Sequence, residues 1–257
     1  MVFDLRGSML NLSYKKVLTA TLSCCCGAVL LSQSAVAANS SFNPAQQEEI
    51  EKIVHNYIIT HPEVLVEAAK ALEAKHAEGQ QESLLKAVEF FRNDKNTPAR
   101  GSRSAKHYVI EFFDYNCGYC KVVRPLTKRL QEENDVVIYY VELPILSPLS
   151  VKASAIGLAL YQKDAPQYFK YQDELMKANV KITSEEQIKA AIKKVGANYE
   201  ELNKSINDNH KIQESLRKNM ELSQQIGVQG TPFFIIDGQV IRGAVKDYEA
   251  FEAMLDK

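Results

Sequence analysis

The spacing of apolar residues along this chain changes period, and the changes mark its elements. From Pro44 to about Arg92 the spacing is helical. Ile50, Ile53, Val54, Tyr57 and Ile58 fall at i, i+3, i+4, i+7 and i+8. His61-Pro62 breaks or kinks that helix. Val64, Leu65, Ala68, Ala69 and Leu72 continue an apolar stripe on a second helix, and Leu84, Leu85, Val88 and Phe91 add a third stretch. Few strong apolar residues lie between Leu72 and Leu84, so the module is expected to be thin and elongated. Such a stripe is covered either by the main domain or by another copy of the chain, and pairing with another copy is the preferred reading.

Residues 94–106 are polar and contain Pro98 and Gly101, the composition of a linker. Tyr108–Phe113 is then a β-branched and aromatic run that predicts a buried strand, followed by a helix from Gly118 to about Glu133. Val136–Leu143 reads as a second strand. Pro148 to about Met220 is helical in pattern, with breaks near Asp164, Ile182 and Gly196. Thr231-Pro232 opens a third strand, Phe233–Ile236. Asp237-Gly238 predicts a hairpin turn into Val240–Arg242, and Asp247–Leu255 closes as a helix. This order predicts an α/β class with a helical insertion.

Composition changes that picture mainly at the N-terminus. The chain has 257 residues, is 46% apolar and 25% charged, and its formal net charge is −1, with no sign of a nucleic-acid partner. Lys15 and Lys16 precede an apolar run, Val17–Leu31, and Ala35-Val36-Ala37 fits an A-x-A cleavage site. Residues 1–37 are therefore expected to be an export signal. The run is shorter than the roughly 20 residues that span a bilayer, although an uncleaved anchor and a lipoprotein signal acylated at Cys24 are the alternatives. Removal of 1–37 would take away Cys24, Cys25 and Cys26, leaving Cys117 and Cys120, and a net charge of −3. The expected organisation is a signal peptide at 1–37, an N-terminal helical dimerisation module at 38–97, and a domain at 98–257 with its helical insertion at about 146–227.

A lone cysteine pair two residues apart closes almost no loop, so stability is a weak reason for it. Cys117-Gly118-Tyr119-Cys120 sits at a strand-to-helix junction. The helix N-terminus there favours negative charge and would lower the pKa of the first thiol. That makes Cys117 a nucleophile and a good leaving group, with Cys120 the shielded resolving partner. A bare Cys-x-x-Cys also suits half a zinc site or an inert structural disulfide. For zinc there is no second Cys-x-x-Cys, and the histidines at 55, 61, 76, 107 and 210 show no paired ligand spacing.

Two motifs together carry a resemblance. Glu111-Phe-Phe-Asp-Tyr-Asn-Cys117 followed by Gly-Tyr-Cys, and Gly230-Thr-Pro-Phe-Phe-Ile-Ile-Asp-Gly238, resemble the strand, active site and cis-proline loop of the DsbA family. The resemblance covers about residues 105–257. The N-terminal helices resemble those of the family's longer envelope members. It implies a thioredoxin-like fold with an inserted helical domain, preceded by an N-terminal helical module. It also implies a cis bond before Pro232 close to the two sulfurs. The Thr231 backbone would then be free to pair with an extended client segment. Glu111, six residues before Cys117 on the strand expected to be buried, would by this resemblance be a carboxyl beneath the site that relays protons; the alternative is an exposed edge carboxylate.

Tyr119 stands where the strong oxidants of this family carry His, so a less oxidising site is expected. Gly-Tyr between the cysteines and Thr before the proline also resemble the DsbC-type isomerases. The expected activity is a protein disulfide oxidoreductase/isomerase that needs no cofactor beyond the Cys117–Cys120 disulfide. The expected partners are cysteine-containing envelope proteins, a membrane redox partner of DsbB or DsbD type, and a second copy in a homodimer. The expected location is the periplasm, with outer-membrane association left open. The rival reading is a non-enzymatic surface antigen or chaperone that keeps the fold.

Overall fold

A computed structural model describes residues 41–208 and 210–255. The leader expected over residues 1–37, with Cys24, Cys25 and Cys26, lies outside the described residues. Two compact units divide at His61–Pro62.

In the first unit, helix α1 spans Pro44–Thr60. The sequence starts it with a reciprocal capping box. Asn43 Oδ1 accepts from the Gln46 N–H at 2.9 Å, and Gln46 Oε1 accepts from the Asn43 N–H at 2.9 Å. Pro44 sits in the first turn, where its missing N–H costs nothing. The stripe of Ile50, Ile53, Val54 and Tyr57 is exposed along α1.

The second unit opens with α2, Glu63–Asn93. It is one continuous helix where the apolar pattern suggested two stretches. The segment between Leu72 and Leu84 is rich in Glu, Ala and Gln, whose intrinsic propensity carries the helix across the gap in the stripe. Leu65, Val66 and Leu72 are exposed, whereas Leu84, Ala87, Val88 and Phe91 are buried. Those last turns pack on a sheet, which is why the compact division falls at His61–Pro62 and not after α2.

The sheet has five strands in the order β1-β3-β2-β4-β5. They are β1 (Ala99–Arg100), β2 (His107–Phe113), β3 (Val136–Glu142), β4 (Phe233–Ile236) and β5 (Gln239–Arg242). β2 and β3 are parallel, and the other neighbours are antiparallel. Helix α3 (Gly118–Glu133) makes the crossover between β2 and β3. Between β3 and β4 lie α4 (Pro148–Lys163), α5 (Ala165–Leu175), α6 (Glu185–Lys194), α7 (Tyr199–Asp208) and α8 (His210–Gln225), and α9 (Tyr248–Glu252) follows β5. This is a thioredoxin-like fold with a helical insertion. Strand β1 lies inside the stretch read as linker. Two residues are too few to show a period, and the Pro98 carbonyl joins it to the sheet by accepting from Tyr140 N–H at 2.8 Å.

Period two divides the strands between two cores. Ile110 and Phe112 of β2, with Val137, Tyr139 and Val141 of β3, meet Phe91 of α2 and Leu222 at the end of α8. Phe91, Phe112 and Phe233 form an edge-to-face series with centroids 5.4 and 5.5 Å apart. Val109 and Phe113, with Ile138 and Tyr140, face α3 and the insertion. Alternation puts Glu111 and Glu142 on this second face, and both are buried.

Glu142 is fully satisfied. Its Oε1 accepts from the hydroxyls of Tyr115 and Tyr168, each at 2.9 Å, and its Oε2 accepts from Ser154 at 2.8 Å. Burial nevertheless pushes its carboxyl up to about 8. Gly157 makes room for this hub. A Cβ there would lie 3.0 Å from the Tyr115 hydroxyl and 3.3 Å from Glu142 Oε1. Gly157→Ala gains helix propensity of about 1 kcal/mol but crowds rings fixed by hydrogen bonds. We expect a net loss of about 1–2 kcal/mol in urea unfolding, and a gain in stability would show that the hub has slack.

Candidate active site

The turn after β2 delivers Cys117 to the first position of a helix. Its backbone is extended, with φ −74° and ψ 113°, and it is the N-cap of α3. The cap is a sulfur: Cys117 Sγ accepts from the Cys120 N–H at 3.2 Å. The Cys117 thiol also lies 3.2 Å from the Thr231 carbonyl, to which it donates. Thr231 precedes Pro232 through a cis peptide bond at the entrance to β4. Residues far apart in the chain therefore meet at one sulfur. Both cysteines are free thiols, Cys117 5% exposed and Cys120 fully buried.

Their electrostatics differ sharply. The Cys117 thiol is lowered to about 6, chiefly by hydrogen bonding from the Cys120 side chain. Hydrogen bonding by the Thr231 side chain and by the N–H groups of Cys120 and Tyr119 adds to this, while burial opposes it. The Cys120 thiol is pushed far up, first by burial and then by the neighbouring Cys117 sulfur. One sulfur is thus a ready thiolate and the other holds its proton until something takes it. Tyr119 and Val122 stand exposed beside the pair.

Glu111 lies on the α3 side of β2, 1% exposed. Neither of its carboxyl oxygens has a hydrogen-bond partner. Thr127 is close, but its hydroxyl proton goes to the Arg124 carbonyl at 3.2 Å. Burial raises the Glu111 carboxyl to about 7, Arg124 and Arg100 pull it down, and a Cys117 thiolate pushes it up. Its charge in turn raises Cys120. Cys117, Cys120, Thr231, Pro232 and Glu111 are therefore brought to one place.

Other residues hold that place together, and the sequence reading assigned them no role. The Asp114 carboxylate accepts from the Asn116 N–H at 2.7 Å, the Ser150 hydroxyl at 2.7 Å and the Leu146 N–H at 2.9 Å. It ties the turn before Cys117 to the start of α4. Asn116 exchanges two bonds with the Ile182 backbone, accepting at 2.8 Å and donating at 3.2 Å. The Lys121 ammonium donates to the Val180 carbonyl. These bonds fasten the insertion to the cysteine turn. Asp114 and Asn116 were visible in the motif. Short polar residues beside a helix start are a capping signal that could have flagged them.

Among the described residues, no group of three or more His, Cys, Asp or Glu is placed to hold a metal ion. No described helix is long and apolar enough to cross a membrane.

Comparison with known proteins agrees with this geometry. Residues 93–257 match the family described as Thioredoxin, and residues 46–78 match the Copper resistance protein ScsC N-terminal domain. Proteus mirabilis ScsC in a transitional conformation is 30% identical with a TM-score of 0.61, covering 85% of this chain and 97% of that one. The thiol-disulfide exchange protein alpha-DsbA2 from Wolbachia pipientis is 27% identical with a TM-score of 0.63, covering 71% of this chain and 97% of that one. The "Probable disulfide bond formation protein D" of Bacillus anthracis is 25% identical over 170 residues, 61% of this chain and 76% of its own length. The chain belongs to the thioredoxin family, as a DsbA-like disulfide oxidoreductase.

Proposed function

We propose that this oxidoreductase works in the bacterial envelope, forming and isomerising disulfides through Cys117 and Cys120. The observation that carries the reading is the pairing of a stabilised Cys117 sulfur at a helix N-cap with a buried, proton-holding Cys120 beneath it. The Cys117 thiolate attacks a client disulfide. The client S–S bond breaks, a mixed disulfide forms, and the leaving client sulfur takes a proton. Cys120 then loses its proton and attacks Cys117. The Cys117–Cys120 bond forms, and the second client sulfur leaves, so the client gains two thiols and the enzyme is oxidised. The reverse sequence oxidises a client dithiol. Isomerisation uses the first attack alone, followed by release through another client thiol, with no net electron transfer.

Glu111 is the proton acceptor for Cys120 in this scheme, and the Thr231 backbone beside Cys117 offers a pairing edge to an extended client. Neither step calls for a cofactor or metal. The leader read at residues 1–37 supports export to the periplasm. Cysteine-containing envelope proteins are the clients, and a membrane partner of DsbB or DsbD type resets the pair. The exposed stripe on α1 supports a homodimer, which would present two active sites to one misfolded client.

The test is reactivation of scrambled, disulfide-mispaired ribonuclease by the mature protein, beside Cys117→Ala and Ile53→Glu variants. We expect recovery that requires Cys117. We also expect Ile53→Glu to be monomeric in sedimentation equilibrium and to lose recovery while still oxidising reduced ribonuclease. No recovery with normal oxidation would make the protein a simple oxidase. A monomeric wild type would remove the dimer.

A further inference from the structure

The face of the sheet behind the cysteines holds more buried polar atoms than hydrogen bonds. Both Glu111 oxygens, the Tyr140 hydroxyl, and the Nε atoms of Arg100 and Arg124 are buried without a partner. They belong to one cluster. Glu111 and Tyr140 are register neighbours on β2 and β3. The Arg124 guanidinium, from α3, lies over the Tyr140 ring at 4.6 Å. Arg100, from β1, lies over Phe169 at 4.6 Å, and Phe169 is in edge contact with Tyr140. Buried polar groups are nearly always paired, so unmatched donors and acceptors in one compartment call for a reason.

The reason is visible in what the two arginines do bond. Arg124 Nη2 donates to Asp173 at 2.8 Å and to Gln172 at 2.5 Å, both on α5. Arg100 Nη2 donates to both Asp173 oxygens at 3.2 Å. One carboxylate, itself 39% exposed, is the shared counter-ion of the buried Arg124 and the half-buried Arg100. Those same cations are the ones that favour a charged Glu111. The charged and titratable groups facing Glu111 are Cys117 at the N-cap of α3, Cys120 and Arg124 within α3, Arg100 from β1 and Tyr140 from β3, while its register partner on β4 is apolar Phe234.

We propose that Asp173 is a positioning residue for exchange: by holding Arg124 and Arg100 to itself, it withholds their charge from Glu111 and so sets the pH at which Glu111 accepts the Cys120 proton. The proposal rests on the redox reading of Cys117 and Cys120. An arginine facing an unopposed buried carboxylate would keep it ionised and make it a poor base. An arginine shared with Asp173 leaves Glu111 able to take and return a proton. Asp173 reaches solvent, so the control is exerted from the surface of α5 without contact with client or sulfur. A purely structural Asp173, tying α5 to α3 and β1, would alter stability and leave Glu111 where it is.

The experiment follows the Glu111 carboxyl by carbon-detected NMR in reduced protein, with the resonance assigned by its loss in Glu111→Gln. In Asp173→Asn, the freed cations should lower the Glu111 midpoint by about one pH unit. The pH profile for release of a client mixed disulfide should move down with it. In an Arg124→Gln background, the effect of Asp173→Asn should shrink to less than half, because its main carrier is gone. Arg124→Lys, which keeps the charge, provides a second background should the glutamine variant fail to fold, and there Asp173→Asn must still lower the midpoint. An unmoved or raised midpoint in Asp173→Asn overturns the proposal, as does an undiminished shift in Arg124→Gln. If Cys117 exchanges no disulfide, the functional reading fails instead, and the Glu111 titration reports that separately.

Discussion

Cys117→Ala should abolish thiol–disulfide exchange, and Cys120→Ala should arrest the protein as a mixed disulfide with its client. The two cysteines differ because the hydrogen-bond donors of Cys120, Tyr119 and Thr231 converge on Cys117, while burial dominates at Cys120. With its thiol near pH 6, Cys117 is half thiolate at that pH, whereas an ordinary cysteine is about 0.3% thiolate. The ~150-fold gain in thiolate is offset by a roughly tenfold loss of nucleophilicity as the pKa falls. Alkylation of Cys117 at pH 6 should therefore run about tenfold faster than that of free cysteine. Mass mapping should find the label on Cys117 first, since Cys120 is fully buried and holds its proton. Labelling at the ordinary rate, or at Cys120 first, would remove the basis of the proposed mechanism. Without Cys120 the second attack has no nucleophile, so the Cys117–client bond persists until an outside thiol breaks it.

Glu111→Gln should make the stability of the protein less sensitive to pH, by an amount large for a single residue. The Glu111 carboxyl lies near 7 in the folded chain against an ordinary value of 4.5. Below pH 4.5 it is protonated in both folded and unfolded chains and contributes no pH dependence. Between pH 4.5 and 7 the unfolded chain ionises while the folded one keeps its proton, so folding weakens as pH rises. Above pH 7 the full penalty applies, about 3 kcal/mol for a shift of this size. The neutral amide that replaces the carboxyl carries no such penalty. Whatever constant offset that amide introduces, the stability of Glu111→Gln relative to wild type should rise by about 3 kcal/mol between pH 4 and pH 8 in urea titrations. A difference that stays flat across that range would mean Glu111 is not held up by burial. The same variant should slow release of the mixed disulfide about 10²-fold at neutral pH, as expected for loss of a positioned base.

Much of this site was legible because its signals are local. A β-branched and aromatic run, two cysteines at a helix start, and a Thr-Pro step entering a strand each announce themselves over a few residues. The paired motifs also identified the family. The place of Glu111 beneath the cysteines was legible only through the resemblance. Its strand is apolar on both faces, so period two alone does not tell a buried carboxylate from one at an edge. Strand β1 was hidden, because two residues cannot display a period and Pro98 suggests a linker. The continuity of α2 was hidden too, because a gap in an apolar stripe reads as a break when helix-forming residues fill it.

By itself the sequence determined the order of β2, α3, β3, the helical insertion, β4, β5 and α9, the cysteine pair and its place at a helix N-terminus, and the α/β class. These depend on periodicity, capping and turn chemistry, which act between near neighbours. Only the tertiary structure brought Thr231 and the cis bond before Pro232 to Cys117, since they come from the other end of the chain. Only it brought Arg100 from β1, Arg124 from α3 and Asp173 from α5 to the back of Glu111. Charges act through space and burial, and neither distance nor desolvation is written in the spacing of residues along a chain.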